Sequence, residues 1–161
     1  MSVTVIKPPQ PLPLQRFKGV VPDSLFLAGS IEQGTAENWQ DRVTQRAIEG
    51  SGKYKNFTFF NPRRDDWDPT WKQSIDNPAF NEQVNWELNA LDCAEKIFMY
   101  FDPNTKSPIS LLELGLYASS GKLIVCCPEG FWRKGNVQIV CQRYGISCYD
   151  RIDVALLWLF E

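Results

Sequence analysis

The sequence has no histidine and no C-x-x-C pair. Without imidazole there is no Ser-His-Asp or Cys-His centre, and the usual zinc sites cannot be built. Proton transfer is left to carboxylates, tyrosine, lysine or water. Charge of one sign is missing too. The 17 Lys+Arg against 19 Asp+Glu leave a net charge of −2, no footprint for duplex nucleic acid or an anionic membrane surface. No apolar run approaches the ~18–20 residues of a membrane span. The N-terminus, with Lys7 before Pro8, Pro9, Pro11 and Pro13, lacks the apolar centre of a signal peptide. The cysteines, Cys93, Cys126, Cys127, Cys141 and Cys148, are odd in number and mostly sit inside apolar segments, as buried reduced thiols do. A cytoplasmic protein is expected, with neither a nucleic-acid polymer nor a membrane as partner.

What is present suits one core. The chain has 161 residues, 43% apolar and 22% charged, the size and balance of one soluble globular domain. Residues 1–23 hold five of the 11 prolines and no clear period. They read as a proline-rich N-terminal arm, its Val3, Val5, Ile6, Leu12, Leu14 and Phe17 lying on the domain or on a partner subunit. Residues 24–161 read as a single domain.

Within it, short apolar runs alternate with helical periods. Strands are expected at Leu25–Ala28, Phe57–Phe60, Lys96–Phe101, Leu123–Cys127 and Ile146–Tyr149. Helices are expected from a Thr35 N-cap through Ala36, Trp39, Val43 and Ala47 to Gly50, with Glu37 in the first turn, then from Ala79 to about Ala94, and over Leu111–Ser120, Asn136–Tyr144 and Ile152–Phe160. Arg63 to Pro78 is polar, carries Trp67 and Trp71 and keeps no period, which predicts a long functional loop or lid. Continuous apolar strands between helices call for a parallel sheet covered on both faces. The expected fold is an α/β, flavodoxin-like, doubly wound three-layer sandwich with a parallel sheet of about five strands. Ligands of such sheets bind beyond the carboxyl ends of the strands. That selects the loops Gly29–Thr35, Asn61–Pro78, Asp102–Ser110 and Pro128–Gly135.

Two carboxylates stand out. Ser110-Leu111-Leu112-Glu113 is a capping box, in which Glu113 reaches back to the Ser110 N–H, but it also sets a carboxylate between Leu112 and Leu114 at the expected crevice. Glu87 shares a spacing with Phe80, Val84 and Leu91 that places it on an apolar helix face near Leu88; the alternative is a side chain turned to solvent beside Trp86. Paired carboxylates suit bond breaking at an anomeric carbon, where one attacks C1 and another group manages the leaving base.

The blocks Phe26-Leu27-Ala28-Gly29-Ser30-Ile31, Glu87-Leu88-Asn89-Ala90-Leu91-Asp92-Cys93-Ala94 and Ser110-Leu111-Leu112-Glu113-Leu114-Gly115-Leu116-Tyr117-Ala118, the last followed by Gly121-Lys122, resemble those of the nucleoside 2-deoxyribosyltransferase family and the related deoxynucleoside-monophosphate N-glycosidases. The resemblance spans roughly Ser24 to Val125, and Asn61-Pro62-Arg63-Arg64-Asp65-Asp66-Trp67 looks like a deoxyribosyltransferase-like branch. It implies that Glu113 is the nucleophile that forms a glycosyl ester at C1′. Glu87, 26 residues earlier, stands where the transferases carry an Asp that contacts the base and assists proton transfer. Ser107 replaces a second transferase Asp and, like Ser30, matches a phosphate-binding Ser of the glycosidases. Glu32 replaces their Arg, and a carboxylate repels phosphate.

Gly29, Ser30, Asn61, Arg63, Trp67, Ser107 and Ser110 are the candidate substrate-binding residues. Arg63 and Arg64 fit phosphate or an ion-pair cluster with Asp65 and Asp66. Trp67 or Trp71 fits base stacking, lid closure or simple pinning of the loop. The resemblance implies a nucleoside or nucleotide substrate, no metal or organic cofactor, and a homodimer or larger homo-oligomer, with Trp132, Trp158 and Phe160 as candidate interface residues. The competing readings are a non-catalytic nucleotide-binding or sensing module of the same fold and a flavin-binding relative. A phosphoacceptor receiver is disfavoured, because Ala28-Gly29-Ser30 offers no acidic pair.

Overall fold

The apolar runs become the strands of one parallel sheet, its central strands buried from both sides. The computed structural model describes residues 3–14, 19–32, 36–50 and 56–160. Its strands are β1 (Thr4–Ile6), β2 (Val21–Gly29), β3 (Thr58–Phe60), β4 (Ala94–Tyr100), β5 (Leu123–Cys126) and β6 (Ser147–Tyr149), in the order β1-β3-β2-β4-β5-β6. Every pairing is parallel. Five of these make the flavodoxin order; β1, drawn from the proline-rich arm, pairs with β3 and extends the edge. The expected five strands are therefore six. Indole N–H donation from Trp86 to the Gln10 carbonyl at 2.8 Å fastens the same arm to a helix.

The helices are α1 (Trp39–Glu49), α2 (Pro78–Cys93), α3 (Pro108–Tyr117), α4 (Lys134–Tyr144) and α5 (Ile152–Phe160). Because side chains alternate along a strand, one sheet face presents Phe26, Ala28, Ile97 and Met99 to Trp86, Leu91, Leu114 and Val137 from α2, α3 and α4. The other presents Leu25, Leu27, Phe98 and Tyr100 to Trp39, Val43, Ile152 and Leu156 from α1 and α5. Trp39 is fully buried, its ring edge-on to Phe98 at 5.9 Å. The five cysteines are free thiols, all buried but the half-buried Cys148. Among the described residues no helix is long and apolar enough to cross a membrane.

Several boundaries differ from the sequence expectation, three helix starts among them. Helix α1 starts at Trp39, capped by the Asn38 side chain, which accepts from the Asp41 N–H; its first-turn acid is Asp41 rather than Glu37, and Thr35 lies outside the described residues. Helix α2 starts one residue early, at Pro78, because the Asn77 side chain accepts from the N–H groups of Ala79 and Phe80 and proline needs no partner at the first position. Helix α3 starts at Pro108, again a proline at the first position but with no side-chain cap, so Ser107 is its N-cap residue and Ser110 lies inside the first turn. That removes the Ser110–Glu113 capping box: with Ser110 already helical, Glu113 stands a turn too deep to reach an orphan N–H.

Candidate active site

The strand order reverses at β2, whose successor β3 lies to one side while β4 lies to the other. This switch point opens a crevice beyond Gly29 and Tyr100, the paired ends of the two strands. Helix α3 leaves β4 across a short turn and turns Ser110, Glu113 and Leu114 inward. Glu113 is 8% exposed, and its Oε2 is buried without a hydrogen-bond partner among the described residues. Glu87 is half-buried on α2 and accepts from Gln83 Nε2 at 2.6 Å, one helical turn away.

Burial pushes Glu87 up to about 7. Burial, with the charge of Glu87 added, pushes Glu113 up to about 8. A desolvated carboxylate holds its proton, and a second one nearby makes the first harder to ionise. At neutral pH the pair shares protons, so one member can be anionic while the other is an acid.

Helix α2 sits differently on the sheet from the expected register. Its buried residues are Gln83, Trp86, Ala90, Leu91 and Cys93, while Leu88 is exposed. Trp86 faces inward because its ring fills the space beside Phe26 and its N–H has a partner in the arm. Glu87 lies at the margin of that face, neither against Leu88 nor out in solvent.

Three buried amides, Gln40, Asn61 and Gln83, have their orientations fixed by partners that can only donate or only accept, and Gln83 bonds Glu87 itself. Gln40 Oε1 accepts from Arg63 Nε at 3.3 Å, leaving Nε2 unpartnered. Asn61 Oδ1 accepts from the Arg63 N–H at 3.0 Å, leaving Nδ2 unpartnered. Gln83 Nε2 donates to the Pro62 carbonyl at 3.1 Å as well as to Glu87, leaving Oε1 unpartnered. With Trp67 Nε1 and Glu113 Oε2, these are the buried side-chain polar atoms without partners among the described residues. Buried polar groups are seldom left unpaired, because each costs about 1–3 kcal/mol. Hydrogen bonds through Arg63 and Pro62 link the three amides to Glu87, whose charge reaches Glu113.

The other candidates are placed as follows. Ser30 and Ser107 lie 2.5 Å apart, hydroxyl to hydroxyl, with Thr105 at 2.9 and 2.7 Å from them. Arg63 donates to the carbonyls of Ala36 and Glu37 besides Gln40, a clamp between the long loop and the start of α1. Arg64 pairs with Asp66 at 2.6 Å and Glu82 at 3.3 Å and lies over the Trp71 ring, a surface ion-pair cluster rather than an open cation. Trp67 packs edge-on against Trp71 at 5.1 Å. Trp132 is 45% exposed and Trp158 72% exposed, whereas Phe160 packs on Phe59. A groove between α1 and α5, lined by Arg42, Arg46, Glu49, Asp153 and Leu157, lies on the sheet face opposite α3.

Sequence reading missed Gln40, Gln83 and Thr105. Gln83 carried a signal, since it stands four residues before Glu87, within hydrogen-bond reach on a helix. Its amide favours the Glu87 anion, which burial opposes. Gln83→Met is therefore expected to raise the Glu87 titration by about one pH unit, read by carboxyl carbon NMR; an unmoved titration would remove the amide from that role.

A doubly wound parallel α/β domain that sets a buried and a half-buried carboxylate, on α3 and α2, close enough for one charge to act on the other is the class that fold and site define. The family model described as nucleoside 2-deoxyribosyltransferase like matches residues 22–131, and the chain belongs to that family. No curated protein matches the sequence.

Proposed function

We propose that the protein breaks or exchanges the N-glycosidic bond of a nucleoside or nucleotide, a 2′-deoxyribo compound first of all, by double displacement through Glu113. The observation that carries the reading is Glu113 Oε2, a buried and unpartnered carboxylate oxygen beside a second carboxylate whose titration is raised to about 7. In the first step the proton that the pair shares sits on Glu87 rather than on Glu113, the arrangement against which the higher titration of Glu113 weighs until substrate fills the crevice; the ionised Glu113 attacks C1′, the C1′–N bond breaks with its electron pair going to the base, and Glu87 gives the base its proton. In the second step water or another base attacks C1′, the ester C1′–O bond returns its pair to Glu113, and Glu87 takes the incoming proton. The amides of Gln40, Asn61 and Gln83, with the Trp67 indole, supply donors and one acceptor for the base.

The expected assembly is a homo-oligomer. Ile109, Leu112 and Leu116, each more than half exposed along the outer side of α3, support that reading as an apolar stripe behind the helix that carries Glu113.

Incubation with a panel of deoxy- and ribonucleosides and their 5′-monophosphates, with and without free adenine, is expected to give base release or exchange by chromatography. Ligand binding without either would make the protein a binding module.

A further inference from the structure

The N-terminal arm lies outside residues 22–131, which the family model matches, yet two routes fasten it to the segment that carries Glu87. The first runs to α2 itself. Gln10 closes a turn on Lys7, its N–H donating to the Lys7 carbonyl and its Oε1 accepting from the Lys7 N–H, both at 2.8 Å. Pro8, Pro9 and Pro11 bring no N–H groups of their own, and the Gln10 carbonyl accepts from the Trp86 indole. Trp86 is 7% exposed. A buried indole N–H without a partner is costly, so this arm carbonyl is what lets the residue before Glu87 face the core.

The second route runs through the sheet. Strand β1 pairs with β3, and the Asn61 N–H just past β3 donates to the Ile6 carbonyl at 2.9 Å. The carbonyl of the next residue, Pro62, accepts from Gln83 Nε2, and the same amide donates to Glu87. The Lys7 ammonium meets Asp65 at 2.9 Å, further along this loop. Both routes end between Gln83 and Glu87 on α2.

Successive side chains on a helix are about 100° apart. With Trp86 pinned inward, Glu87 lies at the margin of that face, half-buried and near enough to Glu113 for its charge to be felt there. We propose that the arm is a working part of the site, which by holding Trp86 and the end of β3 fixes the rotation of α2 and so sets the Glu87 carboxylate against Glu113. Trp86 is then a positioning residue. The inference rests on the glycosidic reading above only for the chemistry that Glu87 performs. The arm adds no free charge beside Glu87: Lys7 is paired with Asp65, the loop's Arg64 with Asp66 and Glu82, and the groups that bear on Glu87 are Gln83 and Glu113.

The test uses the full chain as wild type, Trp86→Phe, Gln10→Ala and Leu156→Ala. Phenylalanine keeps a ring beside Phe26 and removes the N–H; alanine at position 10 opens the turn that presents the carbonyl. Leu156, buried on the opposite sheet face, is the control for lost stability alone. Carboxyl carbon NMR follows the Glu87 titration, chromatography follows base release against pH, and calorimetric melts give stability. In Trp86→Phe the Glu87 titration should fall from about 7 by about one pH unit or more, as α2 turns and water reaches the carboxylate. Base release should drop about tenfold, its alkaline limb moving down with the titration of the acid. Gln10→Ala should shift both the same way by less, and Leu156→Ala should melt lower with neither shift. A Glu87 titration unmoved in both Trp86→Phe and Gln10→Ala, or moved as far by Leu156→Ala, overturns the inference. Unchanged base release beside a moved titration removes the arm from the chemistry. If the titration moves as expected while wild type releases no base, the glycosidic reading fails and the positioning of Glu87 by the arm stands.

Discussion

Glu113→Gln should abolish base release or exchange, lowering the rate on the order of 10⁴-fold or more, and should make the protein more stable above neutral pH. The first effect follows from losing the attacking oxygen, which a neutral amide replaces poorly. The second follows from titration. Glu113 is protonated in the folded protein up to about 8, against 4.5 for an ordinary carboxyl, so between those values the folded state binds more protons than the unfolded one. Stability must then fall as pH rises through that window. Glutamine never ionises and escapes the fall. Wild type and variant should unfold alike near pH 4.5, whereas at pH 8 the variant should gain on the order of 3 kcal/mol, about 5–10 °C in Tm. Calorimetric melts at both pH values, beside the chromatographic assay, check the pair of effects. Lost activity with no gain at pH 8 would mean that the Glu113 carboxylate is solvated after all.

The same argument explains why the crevice looks as it does. A protein selected only for stability would not keep Glu113 Oε2, Gln40 Nε2, Asn61 Nδ2 and Gln83 Oε1 buried without partners among the described residues. Sites that must receive a polar ligand keep such groups in place and lose stability until it binds. The raised carboxylates belong to the same trade, since their proton sharing suits an acid and a nucleophile side by side.

How much of this the sequence disclosed depends on whether the signal was local. Helix α5 runs from Ile152 to Phe160 as its apolar face implied, and the five core strands lie within a few residues of their expected bounds. Continuous apolar runs between helical periods leave few other architectures. Strand β1 was not legible as a strand, because Thr4–Ile6 pairs with β3 more than fifty residues away and prolines follow it. The capping box at Ser110 was misleading although the correcting signal was present. Pro108 is preorganised for the first helical position and moves the cap back to Ser107. Glu113 and Glu87 were singled out because carboxylates remain when histidine is absent, and the fold sets them close enough for the charge of one to act on the other. Gln83 and Gln40 were not, since a glutamine on a helix face gains meaning only from Pro62 and Arg63, which the fold brings to it.

Gly29→Ala is the substitution expected to cost the fold most. Gly29 ends β2 opposite Tyr100 on β4, with φ at 129°, outside the range of ordinary L residues. A Cβ built there lies 2.1 Å from the Tyr100 carbonyl oxygen and 2.8 Å from its nitrogen. Both atoms are backbone of the central strand β4, so no flexible side chain can move aside. Relief would mean parting β2 from β4 at the switch point, where the Ser30 N–H donates to the same Tyr100 carbonyl at 3.0 Å. Backbone strain and overpacking of this kind cost about 1–3 kcal/mol each. Together, about 3–5 kcal/mol is a large part of the ~5–15 kcal/mol that holds a domain of this size folded. Urea unfolding should show the midpoint falling accordingly, or the variant should fail to fold. A loss under 1 kcal/mol would mean that the strand ends are further apart than described. Because Ser30 is carried on that carbonyl and meets the Ser107 hydroxyl at the start of α3, whatever variant survives should also lose the register of the helix that carries Glu113, so that its residual activity falls below what its folded fraction accounts for.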